Sequence, residues 1–134
     1  MTNDENSKKY DLEERTAKFG EDVIGFARKL PKNGITQRII PQLVGAETAV
    51  GSNYCEADCA ESNKDFIHKM AIANKEAKES KHFLRMSAKA SPEHATEARV
   101  LWKEAHELNL ISTTIIKKAK ETEAKKNLRN SSNS

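Results

Sequence analysis

The stretch Ala49–Phe66, AVGSNYCEADCAESNKDF, decides the fold that the sequence predicts. Its first half continues a helical pattern of apolar and small residues. Its second half places Asp65 three residues after Ser62, which is the Ser-x-x-acid pattern of a helix N-cap. The stretch therefore predicts the end of one helix and the capped start of the next. With only 5 Gly and 3 Pro in 134 residues, the chain also lacks the turn residues that a many-stranded sheet needs.

Two helices are predicted before the Ser62 cap from apolar residues that recur at spacings of three, four and seven. Helix one covers about residues 12–30, with Asp11 as its N-cap. Helix two ends near residue 59, and Pro41 leaves two alternatives for its start. Either regular helix begins near Pro41, or a kinked helix begins at Thr36, because a proline inside a helix removes one hydrogen bond.

A second stripe of small residues runs beside the apolar stripe of helix two, at Gly45, Ala49 and Ser52. Small residues in line allow a neighbouring helix to approach closely. We interpret Gly45 and Gly51 in this way.

Two further helices are predicted after the cap. Helix three covers about residues 63–89, and helix four covers about residues 92–125, with Ser91 as its N-cap and Pro92 at its first position. Four amphipathic helices with short connections predict an all-α fold, an antiparallel up-down-up-down four-helix bundle.

The chain length fits one domain. We expect the bundle domain to cover residues 11–126. A disordered polar N-terminus would precede it at residues 1–10, and a disordered polar tail would follow it at residues 127–134.

The positive charge is unevenly distributed, although the net charge is only +3. Residues 62–90 hold seven Lys and Arg against three acids, and residues 117–134 hold six against two. Lysine and arginine on one helix face can neutralise phosphates without reading bases. The candidate nucleic-acid-binding residues are Lys64, Lys75, Lys78, Arg85, Lys89, Arg99, Lys103 and Lys117.

The same residues have a second interpretation, since lysine-rich helices usually carry a solvated face that serves solubility alone. Spare apolar residues outside the bundle stripe, Val100, Leu110 and Ile111, make self-association plausible. We interpret Trp102, at the edge of the helix-four stripe, as a buried bundle residue or a subunit contact in preference to a base-stacking platform.

No cofactor, metal ion or catalytic residue is predicted. Cys55 and Cys59 lie four apart on one predicted helix and lack a second Cys/His pair with zinc spacing. A di-iron bundle needs inward Glu-x-x-His motifs on two helices, and only Glu79-x-x-His82 matches. Since no catalytic residue is predicted, we do not expect an enzyme. No segment approaches the roughly 20 apolar residues of a membrane span, and the N-terminus does not resemble a signal peptide, so we expect a cytoplasmic protein.

Three runs of sequence resemble the 23S rRNA intervening-sequence proteins, a four-helix bundle family. Residues 49–57 read AVGSNYCEA, residues 62–70 read SNKDFIHKM, and residues 72–84 read IANKEAKESKHFL. Weaker similarity covers about residues 10–120. The chain departs from the family at Phe83, where tryptophan is frequent, and at Asn74, where leucine is common.

This resemblance implies a four-helix bundle that assembles as a ring-like homopentamer, with no known catalytic residues. A related branch, the accessory variability determinant of diversity-generating retroelements, implies nucleic acid and possible contact with a reverse transcriptase as partners. Our first hypothesis is therefore a non-enzymatic homo-oligomeric bundle that binds RNA or DNA through basic faces. The alternative is a protein-interaction scaffold with no nucleic-acid role.

Overall fold

Four α-helices account for nearly all of the described chain. The computed structural model describes residues 4–132, with side chains from Leu12 onward. The helices are α1 (Asp4–Lys29), α2 (Thr36–Asp58), α3 (Asn63–Ala90) and α4 (Ala95–Ser132), with a single 3₁₀ turn at Pro92–His94. No strand occurs among these residues. The all-α prediction is confirmed.

Each helix contributes one apolar face to a common core, because residues three and four apart share a face. The helices α2 and α4 pack against α3, and both also contact α1. The largest fully buried apolar side chains come from all four helices: Phe19, Phe26, Leu43, Met70, Leu84 and Leu108.

Local hydrogen bonds fix the starts of the two middle helices. Ser62 Oγ accepts the Asp65 N–H at 3.1 Å, which confirms the cap predicted for α3. The start of α2 depends on Asn33, whose Oδ1 accepts the N–H groups of Ile35 at 3.0 Å and Thr36 at 3.1 Å. The helix therefore begins at Thr36, the second of the two predicted alternatives, with Pro41 inside it.

The outer helices are longer than predicted. Helix α1 begins at Asp4, so Asp11 lies inside it and cannot be its N-cap, and helix replaces the disorder expected for residues 4–10. Helix α4 ends at Ser132, so helix also replaces most of the expected tail at 127–134. Both extensions lack glycine and proline, the residues that interrupt helices most strongly. Residues 1–3 and 133–134 lie outside the described part of the chain.

The length of α4 leaves its C-terminal end without a neighbour. The helix has 38 residues against 28 in α3, which is about 15 Å of extra length at 1.5 Å per residue. Every residue from 124 to 132 is exposed. We call this segment the α4 arm.

Two local interpretations need correction. Ser91 does not cap a helix with its side chain; its Oγ lies 3.0 Å from Glu93 Oε1 and 2.7 Å from His94 Nδ1, inside the 3₁₀ turn. No atom of the described chain lies within 4 Å of a Cβ built on Gly45 or Gly51. Neither glycine therefore allows a close approach between helices of this chain.

Candidate nucleic-acid interface

Three polar contacts show which sides of α3 and α4 face each other. Asn63 Nδ2 lies 2.9 Å from the carbonyl oxygen of Ala119, and Asn109 Nδ2 lies 2.7 Å from Asn74 Oδ1. Lys81 Nζ lies 3.2 Å from His106 Nδ1. As the position on α3 increases, the partner's position on α4 decreases, so the two helices are antiparallel neighbours.

Five of the eight predicted basic residues line the outer rim of this contact. At about 100° per residue, Lys78, Arg85 and Lys89 lie within about 60° of Asn74 around α3. Arg99 and Lys117 lie within about 20° of His106 around α4. We call these five residues the basic edge: Lys78, Arg85, Lys89, Arg99 and Lys117. All five are exposed.

The other three predicted residues lie elsewhere. Lys64 and Lys75 are exposed on the outer face of α3, about 80° and 100° around the helix from Asn74. Lys103 lines a different groove, between α1 and α4, together with Glu104 and Glu107. The structure therefore separates Lys103 from the basic edge.

Ion pairs with carboxylates involve few of the Lys and Arg side chains within residues 12–132. Within residues 12–132, none of the eight predicted basic residues forms an ion pair with a carboxylate. The Lys and Arg side chains that do form such pairs lie outside that set, and they are Arg15, Lys18, Lys29 and Lys69. Free cations on one edge leave their charge available to an anionic partner.

The acids of α3 lie on the side away from the basic edge. Lys69 pairs with Glu56 of α2 at 3.1 Å, which identifies the side of α3 that faces α2. Glu76 lies about 20° from Lys69 around the helix. Burial, and then the nearby charge of Glu79, raise the pKa of Glu76. Negative charge therefore collects toward α2 and positive charge toward α4.

A groove opens at the end of the basic edge that carries Arg85, Lys89 and Arg99, between the C-terminal part of α3 and the N-terminal part of α4. We call it the Trp102 groove. Its volume is about 510 Å³. The lining residues are Leu84, Arg85, Ala88, Lys89, Ala98, Arg99 and Trp102. Apolar side chains thus form the floor, and cations stand on both walls.

Trp102 is held in place by two polar neighbours. Its indole stacks on the His106 imidazole, with ring centroids 5.2 Å apart and an interplanar angle of 14°. Lys81 Nζ lies 5.2 Å from the indole centroid. The side chain is half-buried and packs against the core, so Trp102 belongs to the bundle, and part of its indole stays accessible to solvent.

A second groove, between α1 and α4, has the opposite chemistry. Its volume is about 340 Å³, and its lining includes three acids, Asp22, Glu104 and Glu107, against two lysines. Arg15 bridges α1 to α4 nearby: its Nε lies 2.8 Å from Glu104 Oε2, and its guanidinium also pairs with Glu107. These pairs raise the pKa of Arg15. The groove offers phosphate no net attraction.

One carboxyl is buried inside the bundle. Glu47 of α2 is 2% exposed. Its Oε2 would lie 2.5 Å from a Cβ built on Gly20 of α1. Burial raises the pKa of Glu47 to about 7, and a hydrogen bond from Thr48 opposes this rise. Gly20 is thus the glycine that allows a close approach, and sequence reasoning missed it because the apolar stripe gave Glu47 no inward role.

Sequence reasoning also missed the polar contacts between α3 and α4. Asn109 is 5% exposed, and its Nδ2 contacts both the Oδ1 and the main-chain oxygen of Asn74. The departure from the family at Asn74 was a usable signal, because a polar residue at a commonly apolar position needs a polar partner.

Other kinds of site find no support in the described part of the chain. No group of three or more His, Cys, Asp or Glu residues there could hold a metal ion. Cys55 and Cys59 are free and exposed. No helix within residues 4–132 is long and apolar enough to cross a membrane. The cytoplasmic location stays a prediction.

Comparison with known proteins identifies relatives of the chain. The family model of the 23S rRNA-intervening sequence proteins matches residues 8–114. A solved structure of a protein with unknown function, from the S23 ribosomal protein family of Bacteroides thetaiotaomicron, is 23% identical. That likeness covers 79% of this chain and 98% of the other, with a TM-score of 0.69. At this identity it supports the fold alone. The chain matches no curated protein.

Proposed function

Since the chain belongs to the 23S rRNA-intervening sequence protein family, we propose that it is a non-enzymatic up-down-up-down bundle that binds RNA or DNA through the basic edge. The observation that carries the proposal is the set of five exposed cations, on two antiparallel helices, without a carboxylate partner among residues 12–132. Charge serving solubility alone is usually interspersed with the opposite sign.

The geometry of the edge suits contact with phosphates along a strand. From Lys78 to Lys89 the edge extends about 16 Å along α3, at 1.5 Å per residue. Lysine and arginine contacts of this kind make affinity strongly dependent on salt, with little preference for sequence.

We also propose that the chain assembles as a homo-oligomer, with a pentamer as the expected form. Large apolar side chains remain exposed on the helices: Val100 is 62% exposed and Leu110 is 56% exposed. Their burial between copies would be favourable. Size-exclusion chromatography coupled to light scattering tests this by measuring the mass of the particle, since a pentamer has about five times the 15.0 kDa mass of the chain.

The central experiment compares two triple variants that change the net charge equally. In the first, Lys78, Arg85 and Arg99 are each replaced by glutamine. In the control, the ion-paired cations Lys18, Lys29 and Lys69 are replaced in the same way. Anisotropy of a labelled RNA is then measured across a range of salt concentrations.

Binding by the wild type should weaken as salt increases. The first triple variant should reduce the slope of log affinity against log salt by about 2 to 3, because each lost phosphate contact contributes roughly 0.7–0.9. The control should reduce it by much less. Equal losses in the two variants, or affinity indifferent to salt, would reject the basic edge as the binding surface.

The exposed apolar residues also favour a second candidate function, a scaffold that binds another polypeptide. A reverse transcriptase, the protein partner that the resemblance implies, belongs to this candidate. Capture of a protein partner from nuclease-treated lysate, equally by the wild type and by the first triple variant, would favour the scaffold.

A further inference from the structure

We propose that the basic edge takes single-stranded nucleic acid, and that the Trp102 groove receives one unpaired base. This inference rests on the proposed function and adds the class of nucleic acid to it. The occupant is a base in contact with the indole, with its flanking phosphates on the cations of the two walls.

The floor of the groove distinguishes a base from phosphate alone. Ala88 and the indole provide its accessible apolar surface, and the buried side chains of Leu84 and Ala98 lie beneath them. Phosphate gains nothing from apolar surface, whereas a base is flat and weakly polar and stacks on aromatic side chains. A duplex keeps its bases stacked inside and presents mainly phosphate and sugar, so an unpaired base fits this floor better.

The walls of the groove distinguish a nucleotide from an apolar ligand. Arg85 and Lys89 lie one turn apart on α3, and Arg99 faces them from α4. No carboxylate of the described residues pairs with them, so three like charges surround the opening. A phosphate on each side of the inserted base relieves this repulsion.

Trp102 is ordered before any ligand arrives. His106 stacks on the indole and Lys81 Nζ lies 5.2 Å from its centroid, and neither of those residues lines the groove. The part of the indole that lines the groove is therefore distinct from the part that these two residues contact. A side chain already fixed in place loses little conformational entropy on binding.

The α1–α4 groove provides an internal comparison. It is also lined by apolar surface, including Phe19 and Val100, but three carboxylates border it. The carboxylates of that groove are paired with Arg15 and Lys18, so the two grooves differ mainly in whether their charges are compensated. Only the Trp102 groove combines an aromatic side chain with uncompensated cations.

The experiment uses the single tryptophan of the chain as a reporter. A 12-nucleotide single-stranded RNA and a blunt 12-base-pair RNA duplex are titrated into the full-length protein, and intrinsic fluorescence is recorded with the anisotropy of a label on each RNA. The variants are Trp102→Leu, which keeps an apolar floor, and Ala88→Glu, which places a carboxylate in the groove. Ile24→Ala, at an exposed position on α1, is the control, and circular dichroism and light scattering check the fold and the oligomeric state of each variant.

The single strand should change the tryptophan fluorescence of the wild type, and the duplex should not. Trp102→Leu should weaken single-strand binding by about 5- to 150-fold, the range for loss of one stacked base, and change duplex binding less than twofold. Ala88→Glu should weaken single-strand binding more than duplex binding, so the test survives a folding defect in one variant.

Three results would overturn the inference in distinguishable ways. Binding of both RNAs with unchanged fluorescence, and equal losses for both on Trp102→Leu, would reject the base site and leave the proposed function intact. Failure of both RNAs to bind at low salt would reject the proposed function and the base site together. A change in oligomeric state on Trp102→Leu, with RNA affinity unaltered, would assign the groove to contact between copies.

Discussion

Replacing Glu47 with glutamine tests the electrostatics of the bundle interior. The Glu47 carboxyl lies between α1 and α2, where Gly20 leaves room for its Oε2. Thr48 Oγ1 lies 3.0 Å from Glu47 Oε1 and 2.6 Å from the Val44 carbonyl oxygen. The hydroxyl has one hydrogen for two acceptors, and the Val44 carbonyl oxygen is the nearer of them, so its hydrogen bond to Glu47 offsets little of the effect of burial.

The magnitude follows from the change in pKa. Burial raises the pKa of Glu47 from 4.5 to about 7, so the folded state favours the protonated form. The stabilisation by Glu47 is complete at pH values below the pKa that its carboxyl has in the unfolded chain, and it is lost as the pH rises through the pKa that it has in the folded protein. At roughly 1.4 kcal/mol per pKa unit, the wild type should lose about 3 kcal/mol between pH 4.5 and pH 8 through this group.

Chemical denaturation of the wild type and Glu47→Gln at several pH values between 4.5 and 8 measures the effect. Most other titrating groups are common to both proteins, so the difference in free energy of unfolding isolates Glu47. Glutamine stays neutral, and the variant should therefore become more stable relative to the wild type by about 3 kcal/mol across this range. Glu14→Gln, an exposed position on α1, controls for the loss of one negative charge. A stability difference that stays constant across the range would show that the carboxylate is solvated, and the reasoning would be wrong.

Three further predictions concern packing between helices. Gly25→Ala should raise the free energy of unfolding by about 0.5–1 kcal/mol, because alanine favours helix and the new Cβ would meet no atom of a neighbouring helix within 4 Å. Gly20→Ala should lose that gain, because the added Cβ would lie 2.5 Å from the buried Glu47 carboxylate oxygen. Thermal melts compare the two variants, and equal gains would contradict the close approach of Glu47 to Gly20. In a double-mutant cycle, Asn74→Leu and Asn109→Leu should show a coupling of about 1 kcal/mol, since Asn74→Leu leaves the buried Asn109 amide with only the main-chain oxygen of residue 74, and Asn109→Leu removes the donor to the half-buried Asn74. Additive effects measured by urea denaturation would argue against the contact. Arg15→Met should destabilise the fold by about 1 kcal/mol at low salt by removing the paired contact from α1 to α4, and a loss as large in 1 M salt would point to packing of the side chain as the cause.

The sequence predicted the features that depend on periodicity and local chemistry. The Ser62 cap is a contact between residues three apart, and the buried faces repeat at the helical period, so both can be derived without tertiary contacts. The exposure of the candidate cations followed from the same helical period, which places them away from the apolar face of each helix. Their division into five edge residues and three others did not, because it depends on which sides of α3 and α4 face each other and which side of α4 faces α1.

Some of the remaining errors have tertiary causes. Gly45 and Gly20 look alike in sequence, and only the position of α1 over α2 shows that Gly20 receives a side chain. The inward position of Glu47 breaks the apolar pattern, so the pattern could not reveal it. The short ends predicted for α1 and α4 have a local cause, because polar composition was taken as a sign of disorder although the lysine, arginine, leucine and glutamate residues among them are good helix formers.

The α4 arm gives the molecule a part that behaves unlike the rest. Residues 124–132 carry three cations and no acid, on a segment too short to hold its shape in water by itself. Because residues 124–132 have no packed neighbour, their main-chain amides should exchange with solvent faster than those of the turns of α4 that contact α3. The three cations of the arm therefore lie beyond the packed bundle, on the least protected turns of its longest helix.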